Sequence, residues 1–176
     1  WYRVADGEGV ATRKWDGQPL LFLGGLWYKR YTGELGGYSG SPIGAISCGV
    51  EEDTMPVWWV LVTQIAGDKH ILEAIHQAGM LNRKYSGTYE ICGPNFCHNR
   101  ERLDGDKLIK HGSGGTFIGC PVDYTGLIVW LHNMDIEGIV WHHPDGRMAK
   151  IKKSDFGLRR DPRLNGLPPA ACPGPM

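Results

Sequence analysis

Thr12-Arg13-Lys14-Trp15-Asp16-Gly17 sets a lysine two residues ahead of an aspartate and a glycine, at the end of a run from Val10 that reads as a β-strand. A lysine amine holds its proton to a pKa of ~10.4 and is a poor nucleophile until burial or a neighbouring positive charge lowers that value. Such charges occur far downstream, in Glu137-Gly138-Ile139-Val140 followed by Lys150-Ile151-Lys152-Lys153. Alternate residues of a strand share a face, so Lys150 and Lys152 are expected to point together at the cavity that holds Lys14. Pro144-Asp145-Gly146 lies between the two segments as a turn, with proline presetting the backbone and glycine relieving it. Residues 136–141 and 147–153 then form a hairpin that brings Glu137 near Lys150 and Lys152. A nucleophile beside two cations is a phosphate site.

Outward from this stretch, Gly7 and Gly9 mark a loop. Leu20 to Tyr31, interrupted by Gly24-Gly25, reads as a hairpin with a tight glycine turn. On its returning strand Arg30 and Lys29 compete for the inward face, because a slip of one residue exchanges them. Residues 32–47 are rich in Gly, Ser and Pro, either a loop over the mouth of a site or a plain surface connection. Residues 56–65 read as a buried strand. Asp68 is placed to cap a helix carrying Ile71, Leu72, Ile75 and Ala78 at helical spacing, with His70 and His76 packed or facing solvent.

Gly87-Thr88-Tyr89-Glu90-Ile91-Cys92 is a strand that turns Glu90 away from Tyr89 and Ile91. Taken by itself, Glu90 reads as half of a structural ion pair. Residues 100–110 are densely charged, a solvated face or an RNA-facing loop. Residues 108–112 read as a strand, and Thr125 is expected to cap a helix over 126–134 with Leu127, Trp130, Leu131 and Met134 on one side.

Composition narrows the class. At 176 residues the chain suits one domain with a substantial core, expected over 1–160, and a Pro-rich tail over 161–176. Lys plus Arg and Asp plus Glu number 19 each, so any attraction to nucleic acid has to come from a local basic patch. The apolar run Val57-Trp58-Trp59-Val60-Leu61-Val62 is too short to span a bilayer and no signal-peptide pattern opens the chain; an intracellular, cytoplasmic protein without a membrane partner is expected. The first residue, Trp1, suggests processing or excision from something longer. Cys48, Cys92, Cys97, Cys120 and Cys172 make an odd set that reads as reduced thiols, although Cys92 and Cys97 with His98 and His111 nearby offer an irregular zinc set.

The ordered series Lys-x-Asp-Gly at Lys14, a mid-chain Glu90, Glu-Gly-Ile-Val at Glu137 and Lys-x-Lys at Lys150 resembles the motifs of the covalent nucleotidyltransferases, the polynucleotide ligases and RNA capping enzymes. In detail, "ATRKWDGQP", "LWYKRY", "GTYEICGPN", "KHG" and "EGIVWHHPDGRMAKIKKSDFG" are most similar to the small ATP-dependent 5′-to-3′ RNA ligases of vertebrates and phages. The resemblance implies an α+β nucleotidyltransferase (ATP-grasp-like) domain of antiparallel sheets with flanking helices, and no oligonucleotide-binding barrel after the Lys150 motif. It implies RNA with 5′-phosphate and 3′-hydroxyl ends as partner, ATP becoming AMP linked to Lys14, and Mg²⁺ or Mn²⁺. A monomer is expected.

By the same resemblance Lys14, Lys150 and Lys152 are catalytic. Thr12, Arg13, Asp16, Gly17, Arg30, Glu90, His111, Glu137, Lys150 and Lys152 hold the nucleotide, with Arg30 at the ribose or phosphate, Glu90 at the ribose or the metal's hydration shell, and His111 or Ile109 against the adenine. Glu137, Asp16 and Glu90 attend the metal, Asp16 either binding its waters or orienting Lys14. Alternatives within the enzyme class are a DNA ligase and a GTP-using capping enzyme. Outside it stand a nucleotide- or RNA-binding module that has lost turnover and a zinc-stabilised structural domain.

Overall fold

Short alternating strands joined by glycine turns build two antiparallel sheets, seen in a computed structural model that describes residues 2–35, 44–50, 55–79, 86–161, 163 and 165. The proline-rich stretch from 161 lies almost wholly outside the described residues, as do 36–43 of the loop expected over 32–47. Backbone contacts gather the chain into two units: Trp1–Trp15 with Gly112–Met176, and the intervening Asp16–His111. The fold is α+β, antiparallel sheets with few helices.

The first unit holds α1 (Tyr2–Ala5) and a three-stranded sheet in the order β1 (Val10–Lys14), β8 (Gly138–His142), β9 (Met148–Lys152), with α3 (Tyr124–His132). Ala11, Ile139 and Trp141 share one core with Leu127, Leu131 and Ile136, and Ala149, Ile151, Trp130 and Met134 pack around it. Leu127, Leu131 and Ile139 are wholly buried, each contributing roughly 1.5–3 kcal/mol by leaving water. α3 begins earlier than Thr125 suggested. Asp123 is its cap, accepting from Gly126 N–H at 2.8 Å, because its extended backbone turns the carboxylate toward the first amides.

The second unit is a six-stranded sheet, β4 (Ile46–Val50), β5 (Pro56–Leu61), β3 (Leu26–Thr32), β2 (Gln18–Leu23), β6 (Gly87–Cys92), β7 (Lys107–Lys110), with α2 (Lys69–Gln77). β2 and β3 pair through Leu23↔Leu26 around Gly24 and Gly25, both at positive φ (59° and 84°), the geometry that matches strand twist in a two-residue hairpin. Leu20, Phe22, Trp27, Tyr89 and Ile91 pack with Ile71, Ala74 and Ile75 of α2. His70 and His76 are exposed. Two expectations change here. β5 ends at Leu61 rather than 65, and part of the expected 32–47 loop is strand β4.

Asp68 occupies the position before α2 but caps nothing. Its wholly buried carboxylate accepts from Thr63 N–H at 2.9 Å and pairs with Lys29 Nζ, because a buried charge demands a counter-charge more strongly than a helix end demands a cap. The two roles differ in magnitude. Asp68→Ala is expected to cost about 3–5 kcal/mol in chemical denaturation, the loss of a buried ion pair, where a lost cap alone costs about 1 kcal/mol.

Candidate functional site

Register decides what stands on each face of the three-stranded sheet. Lys14 is opposite Gly138, and Gly138 opposite Lys152; Thr12 is opposite Val140, and Val140 opposite Lys150. Residues directly opposite in an antiparallel pair share a face, as do residues two apart. Lys14, Lys150 and Lys152 therefore rise from one face, and Ala11, Ile139, Trp141, Ala149 and Ile151 from the other, where the core lies. The sequence expectation that Lys150 and Lys152 point together holds, and Lys14 belongs with them.

Between Lys14 and Lys152 the middle strand contributes only Gly138. A Cβ there would lie 2.0 Å from Ile151 O and 2.9 Å from Lys152 Cα. Glycine is thus required for β8 and β9 to close, and it leaves the ground bare between two lysines about 10 Å apart, two strand spacings. Lys14 Nζ is ion-paired with Glu137 Oε2, their side chains 19% and 21% exposed. The carboxylate that holds the Lys14 amine is thus Glu137, the residue before β8.

Thr12 is buried. Its hydroxyl donates to Val140 O at 3.3 Å and lies 3.0 Å from His142 Nε2, both partners within the sheet. His142 shares the lysine face and was missed in the sequence, although the alternation Gly138, Val140, His142 carries it. Arg13 does not join that face. Its parity sends it to the opposite side, where Nη2 donates to Asp135 O at 3.3 Å and the guanidinium lies 4.7 Å from the Trp15 ring centroid. Lys153 also leaves the series. It is 2% exposed and donates to Met134 O and Arg160 O at 2.6 and 2.9 Å, and burial lowers its pKa.

On the six-stranded sheet Leu20 is opposite both Lys29 and Tyr89, so these three share the face under α2. Lys29 is committed there to Asp68, which leaves Arg30 on the other face with Glu90 and Ile109. Glu90 is 7% exposed; Oε1 accepts from Gly17 N–H at 3.1 Å and Oε2 from His111 Nε2 at 2.9 Å. His111, expected against a base, is here held by a carboxylate. Gly17 has a steric reason of its own, since a Cβ would lie 2.2 Å from Ile91 O and 2.6 Å from Cys92 Sγ.

Asp16 is engaged twice: Arg100 Nη1 donates to its Oδ2 at 3.3 Å, and its N–H is accepted by Glu101 Oε1 at 2.9 Å. Residues 100–110 are therefore not only a solvated face. An ion pair and a hydrogen bond between positions 84 and 85 residues apart leave no local pattern.

Burial, then the negative charges of Glu90 and Glu101, push the Cys92 thiol well above its ordinary range. Among the described residues no three of His, Cys, Asp and Glu gather as metal ligands would, and no helix is long and apolar enough to cross a membrane. No known family model matches the chain, and no curated protein matches it significantly.

The three lysines of the Lys150-x-Lys152-Lys153 run are expected to separate in denaturation experiments. Lys153→Ala removes a buried amine and strands two half-buried carbonyls, and costs about 3 kcal/mol, whereas Lys150→Ala and Lys152→Ala stay within about 0.5 kcal/mol of the parent.

Proposed function

We propose that the chain is an ATP-dependent RNA ligase of the covalent nucleotidyltransferase type, with Lys14 as the nucleophile. The observation that carries the reading is the shared face of Lys14, Lys150 and Lys152 with Glu137 paired to the Lys14 amine. Four residues spread from 14 to 152 in the sequence meet on one sheet, and their chemistry is that of phosphoryl transfer to an amine: a nucleophile, cations for the charge that grows on phosphate, and a carboxylate.

In the first step Lys14 Nζ, its proton passed to the paired Glu137 carboxylate or through it to water, attacks the α-phosphorus of ATP. A P–N bond forms, the bond from the α-phosphorus to the bridging oxygen breaks, and pyrophosphate leaves with the electron pair. Lys150 and Lys152 stabilise the charge that builds on the α-phosphate oxygens. Glu137 orients the amine beforehand. In the second step a 5′-phosphate oxygen of RNA displaces Lys14 from phosphorus and takes AMP. In the third a 3′-hydroxyl attacks the 5′-phosphorus, forming the phosphodiester and releasing AMP.

Magnesium fits the residues present through Glu137, since Mg²⁺ keeps most of its waters and uses one or two carboxylates; when bound it neutralises triphosphate charge. Asp16 and Glu90 each already serve protein partners. In this reading they act on the nucleotide ribose or on the metal's waters, and Arg30 is assigned to ribose or phosphate. The nucleotidyltransferase fold itself is part of the proposal, supported by the antiparallel α+β architecture and the motif order.

Incubation with α-labelled ATP and magnesium, followed by denaturation, should leave label on the wild-type chain and none on Lys14→Ala. Lys150→Ala and Lys152→Ala should each slow labelling by about 10²–10³, the effect of removing one preorganised positive contact. Label retained on Lys14→Ala overturns the assignment. Labelling by GTP in place of ATP turns it to capping, and sealing of nicked all-DNA but not all-RNA strands turns it to DNA. Reversible ATP binding without label favours a module that has lost turnover.

A further inference from the structure

Residues 93–106 form a loop in a conformation that its side chains disfavour. Cys97, His98, Asn99 and Arg102 all sit at positive φ, 45°, 56°, 48° and 53°, in the left-handed region that residues other than glycine rarely enter. The loop is tied throughout. Asp106 accepts from Asn95 N–H at 3.1 Å and from Asn95 Nδ2 at 2.7 Å, and a Cβ on Gly93 would lie 2.4 Å from Asp106 Oδ1. Asn99 donates to Leu103 O and accepts from Leu103 N–H, both at 2.9 Å. Backbone strain of this kind persists only where the surroundings over-determine it, and it gathers where side chains have to be aimed.

The two residues inside the strained run both reach Asp16. Glu101 Oε1 accepts its N–H at 2.9 Å, and Arg100 Nη1 donates to its carboxylate at 3.3 Å. The next amide, Gly17 N–H, is accepted by Glu90 at 3.1 Å. Two consecutive peptide N–H groups of one turn thus end on two separate carboxylates, where water would serve an ordinary turn. The Arg100 side chain is 59% exposed against 13% for Asp16, and an ion pair so exposed adds little stability. Orientation is what the contacts supply.

We propose that Arg100 and Glu101 are positioning residues for Asp16, Glu101 fixing the peptide that carries it and Arg100 fixing the direction of its carboxylate. The proposal rests on the nucleotidyltransferase reading, in which Asp16 acts on the nucleotide or its hydrated cation. Sequence inspection could not find the pair, because the partners are 84 and 85 residues apart and the loop's charges alternate in sign like a solvated surface.

Glu101→Ala and Glu101→Gln test it in two measurements on the full chain. In amide hydrogen exchange without nucleotide, Glu101→Ala should speed exchange at Asp16 at least about tenfold while Gly17, held by Glu90, stays within about twofold; Glu101→Gln keeps an acceptor and retains protection. In AMP uptake from ATP with magnesium, Glu101→Ala should lower the maximal rate at least about tenfold at an ATP half-saturation unchanged within about twofold, with Glu101→Gln restoring the rate to within about threefold. Unchanged Asp16 exchange, joint loss of protection at Asp16 and Gly17, or a Gln variant as slow as Ala overturns the positioning role. A wild-type chain that takes up no AMP contradicts the parent reading; uptake by wild type with an indifferent Glu101→Ala contradicts the positioning role alone.

Discussion

The antiparallel pairing of β1 with β8 is the constraint from which the lysine face follows. It sets Lys14 opposite Gly138 and leaves Glu137, one residue before the strand, in reach of the Lys14 amine. Pairing of β8 with β9 then puts Lys152 and Lys150 on the same side. A slip of one residue in either ladder would turn the lysines into the core and the apolar set into water. The buried Ala11, Ile139 and Trp141 on the reverse face therefore secure the site as surely as they secure the fold. The lysine face and the packed core are two sides of one sheet.

Glycine does related work at two positions. Gly138 allows β9 to close on β8, and Gly17 allows the turn after Lys14 to lie against Ile91 and Cys92. In both places the backbone comes where a side chain would have to be. The glycines of the Lys-x-Asp-Gly and Glu-Gly-Ile-Val runs are thus explained by contact distances. In the second unit the carboxylates of Asp68, Glu90 and Asp16 are matched, by Lys29, by Gly17 N–H with His111, and by Arg100. Charge that water no longer solvates has been given a partner within the chain.

What could be read from the sequence were the features written in neighbouring residues. Gly24-Gly25 announced a hairpin, Pro144-Asp145-Gly146 announced another, and alternation put Glu90 opposite Tyr89 and Ile91 and Lys150 with Lys152. The partners written far apart were hidden. Asp68 looked like a cap because its counter-ion is Lys29, on another element. Thr125 looked like a helix start because Asp123, two residues earlier, had no distinguishing neighbour. Lys153 stood in the sequence only as the last of a basic run, and the carbonyls of Met134 and Arg160 show why it turns inward. The division into two units was equally invisible, since one of them is assembled from both ends of the chain.

The central claim is that one particular amine, Lys14, becomes covalently joined to a nucleotide. Intact-mass measurement after treatment with ATP and magnesium, followed by proteolysis and fragmentation to locate the added group, tests it most directly. The account predicts a single AMP, carried on Lys14 and on no other lysine of the face. A chain that gains no mass, or that carries AMP on Lys150, Lys152 or Lys153 instead, would contradict it.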